Sequence, residues 1–184
     1  MRTYLTCLLI PAAALFSSCS SPSAAELEAE RKQHEKDSLH KLVKHLDSLV
    51  YYNRKGDKVD LKVSNSAVKS HLAYAERYPG EKDAALYLFR ASDVAINDLN
   101  QPALSVKILE DLVRRYPDFK ELPICYFQLG TTYDNRLQDT AKTRMYYDLF
   151  LEKYPNHELA PQVRTLKTLV GKNIDDIIRD GKGK

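Results

Sequence analysis

Apolar residues recur at helical spacing along most of this chain. The first stripe comprises Leu39, Leu42, Val43, Leu46, Leu49 and Val50. Apolar side chains that return every three or four positions predict a helix with one buried face. Residues 26–37 are almost entirely charged and cannot supply such a face. We therefore expect an all-α protein whose first packed helix starts near Ser38.

A dipeptide at a fixed interval divides the remaining pattern into units. Tyr78-Pro79, Tyr116-Pro117 and Tyr154-Pro155 follow one another at a constant 38-residue interval. A small residue stands twelve positions before each proline, and a cation stands two positions before it. The small residues are Ala67, Ser105 and Thr143, and the cations are Arg77, Arg115 and Lys153. Agreement at several positions indicates an internal structural repeat.

The proline of each unit predicts where a helix ends. Proline lacks an N–H and disfavours helical backbone at the tyrosine before it. Pro123 and Pro161 come six residues after the second and third of these prolines, and the first turn of a helix accepts proline. Each unit also carries two apolar stripes. Two antiparallel helices per repeat unit are therefore expected.

Residues 126–133 carry the closest likeness to a known repeat. An aromatic pair is followed by Leu129-Gly130 and then by Tyr133, which resembles the first helix of the tetratricopeptide repeat (TPR) family. The Tyr-Pro helix ends resemble the same family. The resemblance implies a TPR-like α-solenoid of antiparallel helix pairs, with about three repeats plus a C-terminal capping helix. Gly130 is then expected to let the neighbouring helix approach closely.

These patterns predict the following organisation of the chain. We expect a signal peptide at 1–18, a lipidated tether and charged stalk at 19–37, a divergent first repeat at 38–79, a second repeat at 80–117, a third at 118–155, and a capping helix with a tail at 156–184. The first repeat departs most from the pattern, because the nine-residue segment 55–63 is expected to separate its helices.

Residues 1–21 have the pattern of an export signal. Arg2 is the only charge before Glu26, and residues 4–16 form an apolar stretch that Pro11 interrupts. At about 20 Å this stretch is shorter than the roughly 30 Å core of a bilayer, so a transmembrane helix is disfavoured. Residues 15–19 resemble a bacterial lipobox, with Phe16 as a departure. The resemblance implies cleavage before Cys19 and a diacylglycerol thioether on its sulfur.

Other interpretations of this segment stay open. A plain secretory signal cut elsewhere would leave Cys19 as a free thiol. Cys7 has too few residues before it for an apolar core, so we assign it to the signal. After cleavage before Cys19 and its lipidation, Cys125 is the only remaining thiol and no intramolecular disulfide can form. The absence of Asp after Cys19 resembles outer-membrane sorting, which implies an anchor in the outer membrane. We expect the protein on the periplasmic face of that membrane rather than at the cell surface.

The composition and the motifs of the chain argue against a catalytic site and against nucleic-acid binding. The 28 Lys+Arg and 25 Asp+Glu nearly balance, so no basic surface is expected for phosphates. The six glycines are too scattered for a phosphate loop. His34, His40 and His45 do not share one helix face, and Cys125 is expected to be an inert buried thiol. We therefore expect no catalytic residues, no metal and no cofactor, with an enzyme as the third alternative.

TPR geometry implies that the first helix of each pair lines a concave face. That face would hold two sets of residues at four-residue spacing, namely Phe89, Asp93 and Asn97 in one repeat and Phe127, Thr131 and Asn135 in the next. Two rings and a polar row suit a helical or extended peptide. The alternative is that both phenylalanines belong to ordinary packing between repeats.

Together these features predict a lipid-anchored adaptor of the cell envelope that binds another protein. The lipobox and the Tyr-Pro repeats resemble bacterial TPR lipoproteins, among them that of the outer-membrane β-barrel assembly machinery. This resemblance implies a role in outer-membrane protein assembly or envelope maintenance. The competing class is a small-ligand or glycan-binding accessory lipoprotein.

Overall fold

The computed structural model describes residues 21–56 and 58–172. The helices are α1 (Ala24–Lys55), α2 (Leu61–Arg77), α3 (Ala84–Asn97), α4 (Pro102–Arg115), α5 (Leu122–Thr132), α6 (Thr140–Lys153) and α7 (Ala160–Leu169), with a π-helical turn (Tyr133–Leu137) after α5. The described residues fall into two units, which divide between His34 and Glu35. The predicted signal peptide and Cys19 lie outside the described residues, as does the tail from residue 173.

In the first unit, α1 begins at a capping box. The Ser23 N–H donates to Glu26 Oε2 at 2.6 Å, and the Glu26 N–H donates to Ser23 Oγ at 3.3 Å. This exchange satisfies donors that a first helical turn leaves free. Further along, Lys32 Nζ lies 3.4 Å from Glu28 Oε1, as their four-residue spacing predicts. Charges, rather than apolar packing, support this part of the helix.

The second unit is an α-solenoid of antiparallel helix pairs, as the repeat predicts. α3, α5 and α7 begin at residues 84, 122 and 160, and α2, α4 and α6 end at residues 77, 115 and 153. Both series keep the repeat interval of the Tyr-Pro dipeptides. From α2 onward, helices that follow each other in sequence pack together, with α2 against α3, α3 against α4, α4 against α5, α5 against α6, and α6 against α7. Each helix thereby buries its apolar stripe against its neighbours.

Each second helix ends in the same way at its tyrosine. Tyr78, Tyr116 and Tyr154 have φ between −133° and −125° and ψ between 53° and 69°. Each tyrosine N–H donates to the carbonyl four residues earlier, and each tyrosine carbonyl accepts from the N–H three residues later, at 3.1, 3.1 and 3.2 Å. Pro79, Pro117 and Pro155 cannot continue the helix. The three turns are therefore copies of one backbone geometry.

The loops inside the second and third repeats also match. Asn100 and Gln138 stand one repeat interval apart and have positive φ values of 52° and 53°. Left-handed backbone is uncommon for residues other than glycine. Left-handed backbone occurs here at equivalent positions of two repeats, although the side chains differ. The two repeats therefore share a backbone conformation as well as a sequence pattern.

The connection inside the first repeat differs from the sequence expectation. α1 ends at Lys55 and α2 begins at Leu61, so residues 56–60 separate the helices instead of the predicted segment 55–63. Asp60 explains the earlier start. Its side chain accepts hydrogen bonds from the Lys62 N–H at 2.9 Å and the Val63 N–H at 3.2 Å, which is the role that Asp favours at a helix N-terminus.

Gly130 lies where α5 and α6 approach each other. A Cβ atom added at this position would lie 2.5 Å from Tyr147 Cδ1 and 3.3 Å from Tyr147 Cζ. Tyr147 is fully buried, so its ring has no free space to move into. The absence of a side chain at residue 130 is therefore what permits this helix spacing.

We expect Gly130→Leu to lower the free energy of unfolding by more than about 1 kcal/mol, because it overpacks the α5–α6 contact. Urea denaturation measures this change. Gly80→Leu is the matched control, since nothing lies within 4 Å of a Cβ atom at Gly80. Unchanged stability of Gly130→Leu would contradict the pairing of α5 with α6.

Candidate functional site

An open cleft of about 450 Å³ lies between α1 and α3. Its lining residues are Asp47, Ser48, Val50, Tyr51, Tyr52, Arg54, Arg90, Asp93 and Val94. Tyr51 and Tyr52 are 61% and 67% exposed, and their rings meet edge to face with centroids 5.8 Å apart. Aromatic side chains are enriched in protein interfaces. Two that remain exposed beside charged groups mark this cleft as a candidate binding surface.

Asp47 on α1 contacts basic side chains of both α2 and α3. Its Oδ2 pairs with the Arg90 guanidinium of α3. Its Oδ1 lies 2.9 Å from Nε2 of the fully buried His71 of α2, although the ring is not aligned for a regular hydrogen bond. One carboxylate therefore connects three helices at the edge of the cleft.

The surroundings of Asp47 keep it ionised. Burial disfavours the charged carboxylate, but the contact with His71 and the charge of Arg90 outweigh this effect and hold the Asp47 pKa below its ordinary value of 3.8. A carboxylate with a lowered pKa is a poor proton acceptor near neutral pH. Asp47 is thus suited to positioning Arg90 rather than to acid–base chemistry.

Arg54 joins the C-terminal end of α1 to α3. Its Nη1 donates to Asp93 Oδ2 and its Nε donates to Asp98 Oδ1, both at 2.7 Å. The Asp98 side chain is only 4% exposed, and it also accepts from the hydroxyl of buried Ser64 at 2.8 Å. Charge-assisted hydrogen bonds of this kind restrict geometry strongly. This Arg54 network fixes the second edge of the cleft.

The first predicted groove set divides between this network and the core. Asp93 lines the cleft. Its Oδ1 accepts a hydrogen bond from the Asn97 side chain at 2.6 Å, and its Oδ2 accepts one from Arg54. Phe89 is partly buried against the core, and its ring lies 6.0 Å from that of Phe119. The polar members therefore position α1, and the ring contributes to packing between repeats.

The second predicted set lies on α5 and the turn that follows it. Phe127 is partly buried against the core. The Thr131 hydroxyl donates to the Phe127 carbonyl at 3.0 Å within its own helix. Asn135 is exposed in the π-helical turn. None of the three lines the α1–α3 cleft, so the structure does not bring the two sets into one pocket.

Tyr51, Arg54 and Arg90 line the cleft but are absent from the sequence prediction. Tyr51 carries a signal, since it precedes Phe89 by the same repeat interval that separates Phe89 from Phe127. No sequence signal identifies the two arginines, because their pairing with acidic residues depends on how α1 crosses α3. The spacing of residues in the sequence does not determine that crossing geometry.

Tyr133, a predicted repeat position, joins the second repeat to the third. Its hydroxyl donates to Glu110 Oε1 at 2.7 Å, and the Tyr146 hydroxyl donates to the same oxygen at 2.9 Å. The two rings are stacked with centroids 5.6 Å apart. Burial and the shared carboxylate raise the pKa of Tyr146. This cluster ties α4 to α6 and has a packing role.

The thiol and the histidines do not assemble a reactive centre. Burial raises the pKa of Cys125 to about 12, which suppresses the reactive thiolate. His40 Nδ1 lies 2.9 Å from the Tyr87 hydroxyl, and His34 and His45 are exposed. Within residues 21–56 and 58–172, no cluster of three or more His, Cys, Asp or Glu side chains is arranged to hold a metal ion.

The same described part of the chain has no helix that is both long and apolar enough to cross a bilayer.

Comparison with known families identifies two of the helix pairs. The tetratricopeptide repeat model matches residues 86–118 and 125–157, which cover most of α3 with α4 and most of α5 with α6. No curated protein matches the chain. The all-helical structure and the two repeats establish a TPR-like α-solenoid. The repeats support a tetratricopeptide-repeat protein and suggest an adaptor for protein–protein interaction.

We expect Asp47→Asn to lower the free energy of unfolding at neutral pH by about 1–3 kcal/mol, because it leaves Arg90 and His71 without a carboxylate. The folded state holds the Asp47 pKa below 3.8, so ionised Asp47 stabilises the fold above that pH. This contribution is lost as the pH falls through the folded-state pKa. The difference between wild type and variant in urea unfolding should therefore shrink on acidification.

Asp148→Asn is the control for this experiment, since the ion pair of Asp148 with Lys167 is exposed and exposed pairs contribute little. A stability difference between wild type and Asp47→Asn that stays constant down to about pH 3 would contradict the assigned role of the Asp47 carboxylate.

Proposed function

We propose that this protein is a lipid-anchored adaptor of the bacterial cell envelope that binds another protein on the concave side of its solenoid. One observation carries the adaptor role. In the α1–α3 cleft, exposed Tyr51 and Tyr52 stand beside charged pairs whose positions Asp47 and Arg54 fix. Interface energy concentrates in aromatic and arginine side chains of this kind.

The charges of the cleft favour binding over catalysis. Arg54 and Arg90 are engaged by carboxylates, and Asp47 is held in its ionised form. Groups arranged in this way supply fixed donors and acceptors for a partner. General acid–base catalysis requires instead a group whose pKa lies near the working pH.

The envelope location rests on the N-terminal sequence. Arg2, the apolar stretch 4–16 and the lipobox-like residues 15–19 support export and lipidation at Cys19. Two or three acyl chains, at about 0.8 kcal/mol per buried CH₂, give a lasting anchor. We place the protein at the periplasmic face of the outer membrane, in outer-membrane protein assembly or envelope maintenance. Its resemblance to TPR lipoproteins of the β-barrel assembly machinery supports this placement.

A small-ligand or glycan receptor is the second candidate function. The cleft volume of about 450 Å³ lies within the range of small-molecule sites, and tyrosines beside carboxylates also suit a polar solute. A ligand that binds only the folded state raises the melting temperature with its concentration. A melting-temperature screen with sugars and small solutes therefore distinguishes this candidate from the adaptor.

Photo-crosslinking from the cleft tests the adaptor role. With a photoreactive amino acid in place of Tyr51, we expect capture in native membranes of one protein that mass spectrometry identifies and that also binds the purified chain. Met145 on α6 is the matched control, since it is exposed but lies outside the cleft. Equal capture from both positions, or none from position 51, would refute the proposal.

Membrane fractionation tests the anchor. Cys19→Ala removes the sulfur that would carry the lipid, so we expect the protein to move from the membrane fraction to the soluble fraction. Cys7→Ala is the control and should stay with the membrane, since Cys7 belongs to the cleaved signal. Retention of Cys19→Ala in membranes would contradict lipidation.

A further inference from the structure

Polar contacts join α1 to α3 at three successive levels, which together form a seam between the two helices. The seam residues of α1 are His40, Asp47 and Arg54, and their partners on α3 or directly after it are Tyr87, Arg90, and Asp93 with Asp98. The His40 contact measures 2.9 Å and both Arg54 contacts measure 2.7 Å. Residue numbers rise together on both sides, so the two helices run parallel along the seam.

The seam residues of α1 recur at a constant interval. His40, Asp47 and Arg54 are seven residues apart, which places them on one face of the helix and about 10.5 Å apart along its axis. The buried residues Val43 and Val50 keep the same interval. A movement of α1 by seven residues would therefore bring each of these side chains close to the place of the next one.

The apolar stripe of α1 tolerates one such movement. If α1 moved by seven residues toward the end of α3, Leu39 would take the place of Leu46, and Val43 would take the place of Val50. Both exchanges conserve the type of side chain. Apolar packing at these two places therefore does not distinguish the shifted register from the observed one.

The carboxylate of Asp47 opposes this shift. In the observed register Asp47 pairs with Arg90, and Arg54 neutralises the two carboxylates of Asp93 and Asp98. In the shifted register Asp47 would leave Arg90 and face both of those carboxylates. Like charges brought together in an interface repel each other, and the repulsion disfavours the wrong arrangement.

Lys36 opposes the same shift. In the observed register its Nζ lies 2.8 Å from Glu81 Oε1. The shift would break this pair and move Lys36 to the place of Val43, which is fully buried. Burial of an unpaired ammonium group is unfavourable. Two charged residues of α1 thus exclude a register that the apolar stripe accepts.

A movement in the opposite direction meets the same kind of barrier. Arg54 would then take the place of Asp47 and face Arg90. Asp47 would take the place of His40, whose Nδ1 lies 4.0 Å from Asp83 Oδ2. Both replacements bring like charges together.

We propose that the order of charges along α1 selects its axial register on α3, with Lys36, Asp47 and Arg54 as the positioning residues. A polar residue at a single position of a helix interface can specify register in this way. The selected register places Tyr51 and Tyr52 in the α1–α3 cleft beside Arg90 and Asp93. The inference concerns how the cleft is built and does not depend on what binds there.

Nuclear Overhauser effects (NOEs) measured on the full chain report the register. Val43 clusters with Tyr74 and Tyr87 in the observed register, whereas Val50 lines the cleft together with Val94. The Val43 methyl groups of the wild-type protein should therefore give NOEs to the two tyrosine rings. In the shifted register they would instead lie near Val94.

A recoded α1 should adopt the shifted register. The double variant Lys36→Val/Asp47→Arg removes both charges that oppose the shift. The new arginine would repel Arg90 in the observed register, but it would face the two carboxylates at the end of α3 in the shifted one. We expect the NOEs from Val43 to the tyrosine rings to be lost and NOEs to Val94 to appear.

A third substitution should restore the observed register. Arg90→Asp, added to the double variant, gives the arginine at position 47 a carboxylate partner without any shift, and Arg54 regains its own partners. The NOEs from Val43 to the tyrosine rings should then return. Lys36→Val alone is the matched control and should keep these NOEs, since Asp47 still opposes the shift.

The outcomes decide whether charge selects the register. Retention of the NOEs between Val43 and the tyrosine rings in the double variant would overturn the inference, as would their loss in Lys36→Val alone. If α1 of the double variant gives neither set of NOEs, the triple variant decides. Return of the tyrosine NOEs in the triple variant supports the inference, and their continued absence overturns it.

Discussion

The end of each second helix at a Tyr-Pro dipeptide is the constraint on which the rest of this molecule depends. The backbone leaves α2, α4 and α6 with one set of dihedral angles and hydrogen bonds, so the chain turns out of each second helix in the same way. The helices that follow these turns, α3, α5 and α7, begin at the same repeat interval, so the local turn sets the period of the solenoid.

The first helix is held by a different kind of interaction from the others. In α1 the buried residues are Val43, Leu46 and Val50. Asp47 also contacts His71 of α2 and Arg90 of α3, and Arg54 donates to Asp93 and Asp98 at α3. Partly buried ion pairs offer modest net stability because desolvation offsets their attraction, but they require defined geometry. Ion pairs therefore add to the apolar packing of Val43, Leu46 and Val50 in positioning the cleft.

The fold could be predicted from sequence because its determinants are local. Proline helix ends and apolar spacing act within a few residues, and the tight contact at Gly130 follows a short motif. The cleft could not be predicted in the same way. Asp93 pairs with Arg54, which lies in the preceding repeat, and no motif fixes the register of α1 against α3. The early start of α2 escaped prediction because Asp60 caps it ahead of its apolar stripe. Lipidation at Cys19 stays a prediction.

The burial of Cys125 has a practical consequence for work on this protein. Cys125 lies on α5, its side chain is fully buried, and its pKa is raised to about 12. We therefore expect this thiol to react very slowly with maleimides and other alkylating reagents. In a chain that is cleaved and acylated at Cys19, it is also the only native thiol. A cysteine introduced at the surface would then carry a spectroscopic label at one defined position in an otherwise unaltered protein.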